Sequence, residues 1–352
     1  MAAILGPLEG FSVAGTGVAF PRRTWTNLEV LQGLPSAAWG RRAPDPHGEQ
    51  LAFMAESLEA TQGVHTRAWA HVPWEPLDHA QEETVVDLAV AAARQALQRA
   101  GVAAADVAML FCSTSTPHRM TATVSAAVGH ALGLTAACQD VRTGCAGGLF
   151  ALAGAVMAVQ ALQRPVLLVG TETFSKVIPI HKLAATSLGD GAGALVLVPG
   201  QGVLCSAWMQ TDGGLGRIIT TDGALPPTQA ELERGGYLLG GSPEELMTQV
   251  PGKYVEAITG ALKRAGLTST DVDLHVPHQS GKSTMEEVAR ALSIPWDRTV
   301  MTLPRHANIG VPGWMVALSL AVDAGRLKAG NTVLFSAVGG GMSWAAAVMR
   351  WA

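Results

Sequence analysis

Three short segments carry side chains whose chemistry depends on how they are held. "DVRTGCAGG" places Cys145 between a short extended run and a long stretch of small and apolar residues. "VDLHVPHQSGKS" sets His278 just past an apolar strand, and "LPRHANIGVPGW" sets Asn308 in a turn before a helix. A thiol beside an imidazole is a nucleophile pair, and a second hydrogen-bond donor can hold a developing oxyanion. Cys145 taken alone has two readings. It is either a small core residue, as free cysteines commonly are, or a nucleophile whose thiolate draws on the N–H groups of a helix N-terminus. The order Cys, His, Asn in glycine-rich surroundings favours the nucleophile. His275 and His306 flank these segments, one within the strand and one in the turn, and read as packing or supporting residues.

Such groups must be delivered by something rigid, and in α/β sheets that place lies beyond the carboxyl ends of strands. The sequence supplies the elements. "FSVAGTGVAFP" reads as a strand, and the chain from Leu34 to Thr84 as irregular, rich in Pro, His and Trp. "EETVVDLAVAAARQALQRAG" has helical apolar spacing with acids at its start and Arg99 and Gly101 at its end. "VAMLFCSTST", "ACQDVRTG", "PVLLVGTETF" and "GDGAGALVLVPG" read as strands, with "ATVSAAVGHALG" a helix among them. The second half repeats the alternation, and "QALQRAG" beside "GALKRAG" points to an internal duplication. This pattern predicts a mainly parallel sheet covered by helices, in an α/β/α/β/α sandwich.

The bulk numbers remove other classes. At 352 residues the chain favours two domains, and its net charge of −4 excludes a dedicated binder of nucleic acid or anionic membrane. Four cysteines, Cys112, Cys138, Cys145 and Cys205, have neither zinc spacing nor the density of a disulfide framework, which implies a reducing cytoplasm. The N-terminus lacks the pattern of a signal peptide, and the apolar run Leu149–Leu162 is short for a membrane span, so a core helix is expected there.

The motifs resemble the thiolase superfamily, and most closely its β-ketoacyl-ACP synthase III group. "DVRTGCAGGLFAL", "GDGAGALVL", "HQSGKS", "HANIG" and "GGGMSWAAAVMRW" occur in that order, and the likeness covers nearly the whole chain after about Glu82. The resemblance implies a thiolase-like five-layered fold of two duplicated halves. Residues 1–200 would carry the nucleophile and an irregular 34–84 insertion, and residues 201–352 would carry His278 and Asn308. It further implies that Cys145 takes an acyl group from a thioester. His278 and Asn308 would then polarise the thioester carbonyl of a malonyl-type second substrate. Its enolate attacks the acyl-Cys in a Claisen condensation, with the backbone N–H groups of Cys145 and Gly340 as oxyanion hole. Acyl-CoA or acyl-carrier-protein thioesters are the expected substrates, without metal or prosthetic group, in a homodimer.

Departures from the family pattern shift the expected substrate. The positions that help bind coenzyme A in the starter enzymes of fatty-acid synthesis fall at about Thr61 and near Ser57. The arginine used for carrier docking aligns with Ser283, beside Lys282. In "STPHRMTATVS", Met120 stands where the family inserts an aromatic residue from the partner subunit, so it either shapes a larger acyl pocket or fills the dimer interface. The glutamate base of head-to-head condensing relatives falls at about Thr121, although "HANIG" is similar to that group. The resemblance thus implies a condensing enzyme of polyketide or other specialised metabolism. Two alternatives stand beside it: an acyltransferase passing the Cys-bound group to an O, N or S acceptor, and a non-catalytic partner subunit. Asn308 favours condensation over transfer, and the retained Cys145, His278 and Asn308 oppose the second.

Overall fold

The computed structural model describes residues 2–39, 45–179 and 186–352. From the N-terminus the chain forms β1 (Ala3–Leu5), β2 (Leu8–Ala19), β3 (Thr24–Thr26), α1 (Asn27–Gly33), α2 (Glu49–Gln62), β4 (Thr66–Ala68) and α3 (Val85–Ala100). It continues through β5 (Met109–Ser113), α4 (Val124–Leu132), β6 (Ala137–Val141), α5 (Gly147–Leu162), β7 (Val166–Thr173) and the long β8 (Asp190–Thr211). Then come β9 (Ile219–Thr221), α6 (Gln229–Glu233), β10 (Leu239–Gly241), α7 (Pro243–Ala265) and β11 (Leu274–Pro277). The chain closes with α8 (Lys282–Ala291), α9 (Leu303–His306), α10 (Gly313–Asp323), β12 (Thr332–Gly339) and β13 (Ser343–Arg350).

Local chemistry sets these boundaries. The Thr84 hydroxyl accepts from the Asp87 N–H while Asp87 accepts from the Thr84 N–H, and Gly101 closes α3 in the left-handed conformation. The buried face of α3, including Val85, Leu88, Ala92 and Ala96, follows the helical repeat. It lies so close to β2 that a Cβ on Gly17 would come within 2.0 Å of the Ala92 carbonyl oxygen. Glycine there is what allows helix and strand to touch.

The strand order is the same in both halves. The first half contributes β2, β5, β6, β7 and the start of β8, laid out β2-β8-β7-β5-β6. The second contributes the end of β8, β11, a single bridge at Thr299, β12 and β13, laid out β8-β13-β12-β11-Thr299. Numbering the strands of each half along the chain gives first, fifth, fourth, second, third in both. β8 runs through both sheets and joins them. Alternate residues feed different cores, as the two-residue pleat requires: Leu195 and Leu197 of β8 face the central core, and Ala194 and Val196 the outer one.

Three cores separate five layers. α5 and α10 lie between the sheets, packed on Leu168, Leu197, Phe335 and Ala347. α3 and α4 cover the outer face of one sheet, and α7 and α8 the outer face of the other. This is the α/β/α/β/α sandwich expected. The segment Gly144–Leu162 is longer than the apolar run read from sequence, and its mean hydropathy of 1.8 would suit a membrane span. Both sheets bury it, and it serves as the core helix.

Two expectations are corrected. The sheet is not mainly parallel: β5–β6, β5–β7 and β11–β12 pair in parallel, while β1, β2, β7 and β13 all pair with β8 antiparallel, as β12 does with β13. The triple-glycine loop makes β12–β13 a hairpin, and only a crossover could have made that pair parallel. The 34–84 stretch is also not irregular throughout, since it contains α2 and β4; its residues 40–44 lie outside the described residues. Its tryptophans have a structural use. Trp25, Trp69 and Trp74 pack against one another with ring centroids 5.5 to 6.3 Å apart.

Candidate active site

The two halves meet at a cavity of about 600 Å3 lined by Cys145, His278, Asn308 and Gly340. β6 leads into the nucleophile loop, where Gly144 has φ of +55° and Cys145 precedes the Ala146 cap of α5. The end of β12 presses on this loop. A Cβ on Gly144 would lie 2.5 Å from the Gly340 nitrogen, and one on Gly339 would lie 2.2 Å from the Cys145 nitrogen. Bare backbone at these positions lets the N–H groups of Cys145 and Gly340 border the same space.

His278 follows β11 and donates its backbone N–H to the Ser336 carbonyl at 2.7 Å. Burial lowers the imidazole to about 4, against a smaller opposing effect from the Gly310 backbone, so the ring is neutral at neutral pH. Its neighbour Gln279, fully buried, clamps the next loop. Its amide nitrogen donates to the Pro277 and Val300 carbonyls, and its oxygen accepts from the Thr302 and Leu303 N–H groups. That loop delivers Asn308. The Asn308 backbone pairs with Ser187 and Gly189, and Ala307 before it is held at φ of +56°. Such a conformation costs a non-glycine residue on the order of 1–3 kcal/mol. The Gly310 N–H donates to the Asn308 side-chain oxygen at 2.9 Å, which leaves the amide N–H groups as the donor end.

The thiol corrects one expectation. Burial first, and then the nearby Glu172 carboxylate, push Cys145 up to about 12, and its own backbone N–H only partly offsets them. The thiolate stabilisation expected from a helix start is therefore outweighed. Cys145 and His278 are thus both neutral on the cavity wall, and the thiol must lose its proton as it attacks.

Glu172 escaped the sequence reading. It lies at the end of β7, fully buried, and accepts from the Ser115 N–H at 2.8 Å and the Thr116 and Thr114 hydroxyls at 2.7 and 3.2 Å. Thr114 and Ser115 form part of the cavity wall. Burial raises its carboxyl to about 7 against these hydrogen bonds. An acid inside the apolar run "VLLVGTET" was the available signal. The electrostatics give a prediction with a definite sign. Above pH 7 Glu172 is charged and opposes the Cys145 thiolate; below it the carboxyl is neutral. Alkylation of Cys145 in Glu172→Gln should match the parent near pH 6 and exceed it by roughly three- to tenfold near pH 9. A ratio independent of pH, measured by iodoacetamide kinetics, would refute the coupling.

The remaining candidates lie elsewhere. Met120 is 70% exposed and, like the exposed Thr121, does not line the cavity of the single chain. Lys282 is at the start of α8 beside a separate cavity of about 390 Å3, with Glu56, Glu59 and Trp296. Ser57 and Thr61 are exposed on α2. His275 is buried within β11 and bonds Ser336 through Nε2 at 2.8 Å, and His306 stacks on Phe20 with ring centroids 4.0 Å apart. Neither lines the cavity.

Comparison with known proteins identifies the family and the fold. Residues 139–213 match the family model of 3-oxoacyl-[acyl-carrier-protein] synthase III, and residues 262–351 match its C-terminal counterpart. A β-ketoacyl-[acyl-carrier-protein] synthase III of Dinoroseobacter shibae is 36% identical over 333 residues, covering 92% of this chain and 98% of that one. Among solved structures, the synthase III of Thermus thermophilus superposes with a TM-score of 0.82 at 28% identity, covering 97% of this chain and 99% of that one. The priming β-ketosynthase of the R1128 polyketide pathway also gives 0.82, at 25% identity, covering 99% of this chain and 98% of that one.

Proposed function

Because the chain belongs to the β-ketoacyl-[acyl-carrier-protein] synthase III family, we propose that it loads an acyl group on Cys145 and condenses it with a malonyl-type thioester. The observation that carries this reading is the convergence of Cys145, His278, Asn308 and Gly340 on one cavity, with Asn308 turned so that its N–H groups are the donors. In the first step the Cys145 sulfur attacks the acyl thioester carbonyl and passes its proton to His278. The carbonyl oxygen takes the charge against the N–H groups of Cys145 and Gly340, and the departing thiol carries a proton away. In the second step the malonyl unit loses carbon dioxide, and its electron pair becomes an enolate held by His278 and Asn308. The enolate carbon attacks the acyl-Cys carbonyl, and the thiolate leaves to give a β-ketoacyl thioester. Neutral donors suit this role, since they polarise a carbonyl without competing as nucleophiles.

The substrate we propose is a thioester of specialised metabolism, carried on coenzyme A or a carrier protein. Exposed Ser57 and Thr61 at the positions aligned with coenzyme A binding, and the likeness to a priming β-ketosynthase, support it. We also propose a homodimer in the cytoplasm. β6 ends the sheet with a free edge among the described residues, and Met120 is exposed on the loop between β5 and α4. Incubation with a panel of acyl thioesters, followed by intact-mass measurement, should give one acyl adduct on Cys145. Adding malonyl-CoA should then release a product two carbons longer than the loaded acyl group. Release with unchanged chain length would replace condensation by simple acyl transfer.

A further inference from the structure

Of the two tyrosines, Tyr237 is exposed and Tyr254 is fully buried. Tyr254 projects from α7 into the outer core, among Ile258, Met285 and Val338. A phenol in such surroundings needs a partner for its hydroxyl. Its oxygen meets the Val338 backbone, and its proton has two acceptors within range: the Ser280 hydroxyl oxygen at 2.6 Å and the His278 carbonyl at 3.4 Å. The first is a strong O–H···O distance and the second is long. Burial also pushes the phenol above its ordinary value, so it keeps its proton and acts as a donor.

The phenol is the stronger acid of the two hydroxyls, so over the shorter contact we assign the Tyr254 proton to Ser280, which leaves the Ser280 hydroxyl with its own proton. That proton has no other acceptor among the described residues. Ser280 lines the same cavity as Cys145, His278 and Asn308, and its N–H donates to the His278 carbonyl at 3.0 Å. The hydroxyl is thus fixed on the wall that His278 also lines, and accepting one hydrogen bond makes it a stronger donor of the next.

We propose that Ser280 is a third substrate-contacting donor of this site, giving a hydrogen bond to an oxygen of the malonyl-type thioester, with Tyr254 as its positioning residue. The inference rests on the condensing reading above and adds a specificity element to its second step. A pair that merely satisfied a buried phenol would have no reason to act on one substrate alone.

The test separates the two half-reactions. The unmodified protein, Ser280→Ala, Ser280→Thr and Tyr254→Phe are each loaded with the acyl-CoA that labels Cys145, and loading is followed by intact mass. Condensation is then followed with malonyl-CoA by product mass. Ser280→Ala should load within twofold of the parent while kcat/KM for malonyl-CoA falls about tenfold, as for loss of one hydrogen bond to a charged or developing charge. Tyr254→Phe should lose about threefold in the same step. Ser280→Thr keeps the hydroxyl and should stay near the parent. Equal losses in both half-reactions, or an unchanged malonyl-CoA step in Ser280→Ala, would overturn the proposal and leave the condensing reading intact. Failure of the unmodified protein to load would overturn the condensing reading and the inference with it.

Discussion

Cys145→Ala should carry no acyl group after incubation with any thioester that loads the parent, and condensation should fall on the order of 10^4-fold or more. The change removes one sulfur from a half-buried position on the cavity wall, so the fold should persist and the loss should be chemical. Losing the nucleophile removes the covalent route itself, which the cavity's other donors cannot replace. The same thiol gives a second, independent reading in the parent. Because it sits near 12, its thiolate fraction rises about tenfold for each pH unit once Glu172 is charged, above about pH 8. Alkylation of Cys145 should therefore climb about 100-fold between pH 8 and pH 10. A thiol at its ordinary value would already level off by pH 9. Cys112 is fully buried, and burial, Asp140 and Glu172 push its thiol well up, so it should stay unlabelled throughout. Acyl adducts that persist in Cys145→Ala would refute the assignment of the nucleophile.

What the sequence made legible, and what it hid, divides on a physical line. Cys145, His278 and Asn308 stood out because reactive or polar side chains at the ends of apolar runs are unusual, and the chain places all three there. The duplication was legible because its helix-then-strand order is a linear property. Strand direction was not: a short apolar run after the triple glycine marks β13 as a strand, but the turn at Gly340 and Gly341 decides that it runs against β12. α2 was missed because only Leu51 of its residues is buried, so it lacks the apolar face that marks a helix. Glu172, Gln279 and the Tyr254–Ser280 pair were hidden for a related reason. Their roles come from partners far along the chain, such as Ser115 for Glu172 and Thr302 for Gln279. The thiol's true setting was hidden too, since the motif shows the helix start and not the burial and buried acid that outweigh it.

Asn308→Asp should separate the two steps more sharply than any other single change. In the parent the Gly310 N–H fixes the side-chain oxygen, and the amide N–H groups are left to donate. Aspartate can keep the Gly310 bond, because its oxygen occupies the same place. Its second oxygen then replaces the donor with an acceptor and sets a negative charge where the enolate oxygen must develop. The backbone around it is held by Ser187, Gly189 and the strained Ala307 rather than by the side chain, so the loop should stay in position. Loading of Cys145 uses the N–H groups of Cys145 and Gly340 and should proceed within a few-fold of the parent rate. Condensation should fall about 10^2- to 10^3-fold, the scale of one lost oxyanion donor, with charge repulsion placing it at the upper end. Asn308→Ala, which loses the donor without adding charge, should lose less. Stalled acyl-enzyme should therefore accumulate in Asn308→Asp and be visible by intact mass. If both variants condense as fast as the parent, Asn308 does not hold the enolate. If loading and condensation fall together, it acts on the loop and not on the reaction.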